Sequence, residues 1–131
     1  MKNLLLFILN LPFTLTGVVP LIASQPTSFR LIKDPIALVF EVKSFWWGFA
    51  MYKNARAMTI GHLILMSPKQ LKNDFEHEII HVHQCQRYPV VFPFLYLYEL
   101  IRRGYRYNRF EDEAYTLSNS IYTGSAVKKI L

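Results

Sequence analysis

The chain has 131 residues, 52% hydrophobic and 15% aromatic, which suits one domain with a sizeable core. A single cysteine, Cys85, excludes an intrachain disulfide framework, and there is no low-complexity tract or internal repeat. The net charge of +6 directs attention to anionic partners.

Leu4 to Ala23 form a mostly apolar run after Met1-Lys2-Asn3. Its length approaches the ~20 residues that cross a bilayer. Asn10, Pro12, Thr14, Thr16, Gly17 and Pro20 interrupt it, so it makes a poor straight transmembrane helix. As a signal peptide it has only Lys2 for an n-region, and Leu21 spoils a small-x-small site ending at Ala23. Three readings remain: an uncleaved anchor, an interfacial or re-entrant hairpin, and a helix packed on the domain. The expected division is an apolar segment, 1–24, and a single domain, 25–131.

Residues 29–66 read as β structure. Ile36 to Val42 is one strand candidate, Phe45 to Tyr52 a second, and Met58 to Met66 a third. The third leads directly into a helix. Ser67 is a suitable N-cap, Pro68 fits the first helical position and Gln70 closes a capping box; Asp74 offers a later start. Pro89 ends this helix near residue 87.

That helix carries His77-Glu78-Ile79-Ile80-His81. Residues i and i+4 share a helix face, so both imidazoles reach one metal ion, and the glutamate beside them can take a proton from a water held there. At ~100° per residue, His77, His81, Gln84, Cys85 and Glu78 fall on one side, while Phe75, Ile79 and Val82 fall on the other. Cys85 lies two turns from His77, ~12 Å along the axis, so packing suits it better than ligation. His83 points away. A solvated, charged helix face is the plain alternative.

Tyr88 to Ile101 is apolar and tyrosine-rich but short for a span; it reads as a core or interfacial helix ending at Gly104. Arg102, Arg103, Arg106 and Arg109, interleaved with Tyr105 and Tyr107, follow. An anionic lipid surface suits this cluster better than nucleic acid, since no nucleic-acid motif is present; a merely solvated basic face is the alternative.

A last helix runs from the cap Asn108 towards Gly124, with Phe110, Ala114, Leu117 and Ile121 as its apolar stripe. A catalytic zinc needs a third protein ligand. Glu111 and Glu113 both flank the stripe, ~200° apart, so spacing leaves the choice open. Glu111, which shares its face with Tyr115, Ser118 and Tyr122, equally suits a capping box with Asn108.

Together, His77-Glu78-x-x-His81-Val-x-Gln84 and Asn108-x-Phe-Glu111-x-Glu113-Ala-Tyr115 resemble the gluzincin-type zinc metallopeptidases, most nearly small bacterial ones. The resemblance covers about Ala57 to Tyr122. It implies Zn²⁺ held by His77, His81 and Glu111, with Glu78 as general base. Tyr115 stands where many gluzincins carry an Asp that orients a histidine. Tyr115, Gln84 and His62 are candidates for outer positions or substrate contact, and Thr59 for the cleft.

The expected fold is α+β: a small zincin-like domain, with short antiparallel strands and then three helices carrying the metal site. An edge strand lines its cleft. The expected function is zinc-dependent hydrolysis of a peptide or protein substrate at a membrane, the bacterial inner membrane or its surface, without specific nucleic-acid binding. Two alternatives stand beside it: a non-catalytic membrane module that keeps the fold, and a basic lipid- or nucleic-acid-binding protein with an accidental motif.

Overall fold

The computed structural model describes residues 2–45 and 55–119. The fold is α+β, a four-stranded mixed sheet with helices. The N-terminal run forms α1 (Lys2–Leu9), α2 (Leu11–Thr16) and α3 (Val18–Ala23). Then come β1 (Pro26–Lys33), β2 (Ile36–Val42), β3 (Ala57–Ile60) and β4 (Leu63–Met66). The C-terminal half holds α4 (Asp74–Arg87), α5 (Phe92–Tyr107) and α6 (Arg109–Ser118).

The strand order is β1-β2-β4-β3. Ile36–Val42 matches its expected bounds. The expected purely antiparallel pattern does not hold, because β2 and β4 pair in parallel. A parallel pair needs a crossover of about a dozen residues or more, and residues 43–62 supply it. Met58 to Met66 is likewise not one strand. Gly61 adopts φ +64°, a left-handed conformation that turns the chain, so β3 and β4 form a hairpin. β1 was read only in part, from residue 29 onwards. The Phe45–Tyr52 candidate falls largely outside the described residues.

β4 is buried along its whole length, as a strand covered on both faces must be. Ile64 and Met66 join Ala37, Val39 and Val82 in one cluster, with Phe75 and Ile79 of α4 against it. Leu63 and Leu65 face the other way, with Val42, Phe45 and Leu21. The apolar side of α4 is therefore the side that grips the sheet.

α4 begins at Asp74, the later of the two expected starts. Ser67 does not cap it; its Oγ accepts from Lys69 N within the preceding turn. Asp74 is no cap either. Its Oδ2 accepts from Leu71 N (2.7 Å) and from Arg56 Nε (3.0 Å), which fastens the start of α4 to the chain entering β3. The helix stops at Arg87, before Pro89. α5 runs past Gly104 but breaks there (φ 80°, ψ 168°), as only glycine does readily. α6 starts on Asn108, whose Oδ1 accepts from Phe110 N (2.9 Å). Its buried positions are Phe110, Glu111, Ala114 and Ser118, whereas Leu117 is exposed. The expected stripe thus fails at Leu117, because the helix turns Glu111 inward instead. α6 ends at Ser118 with Asn119 left-handed; Ile121, Tyr122 and Gly124 lie outside the described residues.

The N-terminal helices pack on the domain. α1 and the α2–α3 stretch meet at a bend of 54°, and no single described helix is long and apolar enough to cross a membrane. Of the polar interruptions, Asn10 and Thr14 face inward, whereas Thr16 is exposed. Asn10 Nδ2 reaches Cys85 O (3.1 Å) and His62 Nε2 (3.2 Å), while Asn10 Oδ1 accepts from Val90 N (2.9 Å). Thr14 Oγ1 accepts from His62 N. At Gly61 a Cβ would lie 2.3 Å from Thr14 Oγ1, so glycine also permits this close approach. Asn10→Ala is expected to lower unfolding free energy by about 1–3 kcal/mol, since buried partners lose their hydrogen bonds. Urea unfolding measures it, and an unchanged midpoint would mean that Asn10 fastens nothing.

Candidate metal centre

α4 and α6 lie side by side and present three side chains to one point. His77 Nε2 is 3.2 Å from His81 Nε2, and Glu111 Oε1 is 3.0 and 3.2 Å from them. All three residues are buried. His77, Glu78 and His81 offer ligand atoms within 4.8 Å of one another, a buried group that can hold a metal ion. The triangle of Nε2, Nε2 and Oε1 fits such an ion. Tetrahedral bonds of ~2.0–2.1 Å separate ligand atoms by ~3.3–3.4 Å.

The two glutamates lie differently. Glu111 faces the imidazoles and closes no capping box. Glu113 instead takes a hydrogen bond from Gln84 Nε2 (2.7 Å) and pairs with Arg87 (3.3 Å). Tyr96 OH donates to Glu111 Oε2, leaving Oε1 for the histidines.

Gln84 fixes the orientation of His81. Its Nε2 donates to Phe110 O (2.9 Å) and Glu113, so its Oε1 must be the acceptor for His81 Nδ1 (2.8 Å). A proton on Nδ1 leaves Nε2 for a metal, the usual role of such outer partners. Tyr115 takes a different place from an orienting Asp. Its ring packs edge-on against His77, with centroids 4.3 Å apart, and its hydroxyl meets Tyr105 OH at 3.1 Å.

The electrostatics of the site follow from burial against neighbours. Burial disfavours charge on His81, but the Glu111 carboxylate and its hydrogen bond outweigh this and raise His81 to about 9. Burial likewise pushes Glu111 up, yet the two imidazoles hold it well below the usual carboxylate range. Glu78 lies in the same pocket and is raised by burial, partly offset by His77 and His81. Thr59 Oγ1 donates to Glu78 Oε2 (3.1 Å), so the β3 edge holds this carboxylate. Burial pushes the Tyr115 phenol up to about 12 and Tyr105 well above its ordinary value, so both keep their protons.

His62 finds another place, while Cys85 packs and His83 turns away from the site, as expected. His62 is not at the cleft. It lies buried in the β3–β4 turn, where Nδ1 donates to Ile36 O (2.7 Å) and Nε2 accepts from Asn10; burial lowers its pKa and keeps it neutral. A single edge strand over 58–66 would have put it at the cleft, but the turn at Gly61 carries it away from that edge. Cys85 is fully buried against Phe92 and Phe110, and burial raises its thiol to about 12, so it packs. His83 is exposed.

A cavity of about 580 Å³ opens over His77, Glu78, His81 and Glu111. β3 forms one wall, Phe92, Tyr96, Leu97 and Leu100 of α5 another, and Phe13 of α2 closes a side. The size suits a ligand site. Sequence reasoning missed Tyr96 and Tyr105 as site residues. Both stand among aromatics that read as packing or headgroup residues, and no spacing relates them to a motif on another helix. No family model, curated protein or solved structure matches this chain.

Proposed function

We propose that this chain is a zinc-dependent hydrolase of peptide amide bonds, with a gluzincin-like, zincin-type site. The observation that carries the reading is the meeting of His77 Nε2, His81 Nε2 and Glu111 Oε1 within 3.2 Å at the floor of an open cavity. Two imidazoles and a carboxylate are a donor set that catalytic zinc uses with one position left open. His77, His81 and Glu111 would hold the ion, and Gln84 and Tyr96 would orient the last two.

Zinc, when bound, lowers the pKa of a water and polarises a carbonyl. Glu78 is placed to move protons. Its carboxyl is raised by burial, and Thr59 fixes one oxygen, so the other can take a proton from the attacking water and deliver it to the departing amine. Tyr115 keeps its phenolic proton and lines the cavity, which makes it a donor for a developing oxyanion. β3 is the sheet edge on the cavity, so an extended peptide can add to it as a strand.

The test is digestion of a mixed peptide library by the purified full-length protein, read by mass spectrometry. Cleavage should stop with a chelator and return with zinc. Cleavage indifferent to chelator would overturn the zinc chemistry, and bound zinc without any cleavage would point to a non-catalytic module.

A further inference from the structure

The N-terminal helices are amphipathic in the reverse of the usual sense for a protein surface. Asn10, Thr14 and Ser24 are buried on the domain, while Leu5, Ile8, Val19 and Ile22 face outward. Val19 is 74% exposed and Ile22 68%. α5 repeats the pattern. Its one carboxylate, Glu99, is buried, whereas Phe94 (70%) and Ile101 (77%) stand in solvent.

The segments that carry the two faces meet. Asn10, at the α1–α2 joint, is hydrogen-bonded to Val90 N, just before α5. Phe13 of α2 and Phe92 of α5 share a cluster, and both line the cavity. Val90 and Val91, also exposed, continue the apolar surface between the two helices. Scattered exposed apolar residues are ordinary, but an adjoining set of this size marks a contact surface.

Charge identifies what it contacts. Residues 1–33 contain no Asp or Glu. On α5 the buried Glu99 is shared by Arg103 (3.6 Å) and Arg109 (3.7 Å), two cations for one carboxylate. Arg102 adds a further exposed cation, donating to Tyr98 OH at 2.9 Å. Apolar residues rimmed by arginine and tyrosine match the boundary of an anionic bilayer, where apolar side chains enter the acyl region and arginines meet phosphate. We propose that the protein docks on anionic lipid bilayers through this face, lying on the surface. The docking stands apart from the hydrolase reading. Because Leu97 belongs to both the exposed face and the cavity wall, docking sets the cavity mouth beside the lipid.

The test is co-sedimentation of full-length, zinc-loaded protein with vesicles of phosphatidylcholine alone and of phosphatidylcholine with phosphatidylglycerol. Binding should favour the anionic vesicles and weaken with salt. Phe94→Glu with Ile101→Glu should reduce partitioning at least about a hundredfold, two buried apolar side chains being lost. Arg102→Gln, a milder surface change, should reduce it about fivefold. Zinc content and circular dichroism of the variants should match the parent, which separates loss of docking from loss of the site. Partitioning indifferent to both changes, or absent from anionic vesicles, would overturn the proposal. So would a stable dimer in vesicle-free solution that the glutamate pair dissolves, since a second copy would then cover the face.

Discussion

Glu111→Gln is expected to leave the purified protein without stoichiometric zinc, whereas Glu113→Gln keeps it. Glutamine preserves an acceptor for Tyr96 but removes the negative charge and the strong oxygen donor that face both imidazoles. Loss of a hydrogen-bond partner behind a ligand typically costs about 10–100-fold in metal affinity. Loss of a ligand itself should exceed that, and His77→Ala and His81→Ala should do the same. Glu113 supports Gln84 from the outside, so its change should be felt only through His81. Inductively coupled plasma mass spectrometry on protein dialysed against buffered zinc reads the ratio directly. Zinc retained by the Glu111 variant and lost by the Glu113 variant would reverse the assignment.

Glu78→Gln should abolish most hydrolysis with zinc content unchanged. The amide is nearly isosteric and can still accept from Thr59, so the fold and the imidazole pair stay in place. What it cannot do is take up a proton. General acid–base catalysis is worth about 10²–10⁴ in rate, and kcat should fall by that order while the metal stays bound. The double readout matters because a misfolded protein would lose both. Activity within tenfold of the parent would remove Glu78 from the proton path and move attention to the tyrosine pair.

The helix of His77 and His81 was readable because its signal is local. An i, i+4 pair on a helix meets on one face whatever surrounds it, and the apolar face at Phe75, Ile79 and Val82 does pack on the sheet. The end at Pro89 was readable for the same reason. The start was readable only as one of two, since Ser67-Pro68 has the chemistry of a cap, yet Arg56 and Leu71 claim Asp74 and set the first turn there. Glu111 against Glu113 was undecidable from spacing: both border the stripe, and only the neighbouring α4 determines which carboxylate is inside. The parallel pairing of β2 and β4 was equally hidden, because a continuous apolar strand fits either direction. Tyr96 came from a third helix, whose approach depends on the chain path between Arg87 and Phe92. Thr59 lines the cavity as expected, because β3 is the sheet edge that borders it.

Asn10 joins the amino-terminal segment to the last turn of the helix that bears both histidines and to the β3–β4 turn. Trimming residues 2–24 to obtain better-behaved material would therefore be a poor strategy. The shortened polypeptide would lack the phenyl ring of Phe13 at the entrance, and it would open His62 and Cys85 to water. What looks from composition like a disposable leader is part of the scaffold that keeps the cavity over His77 and His81 in shape.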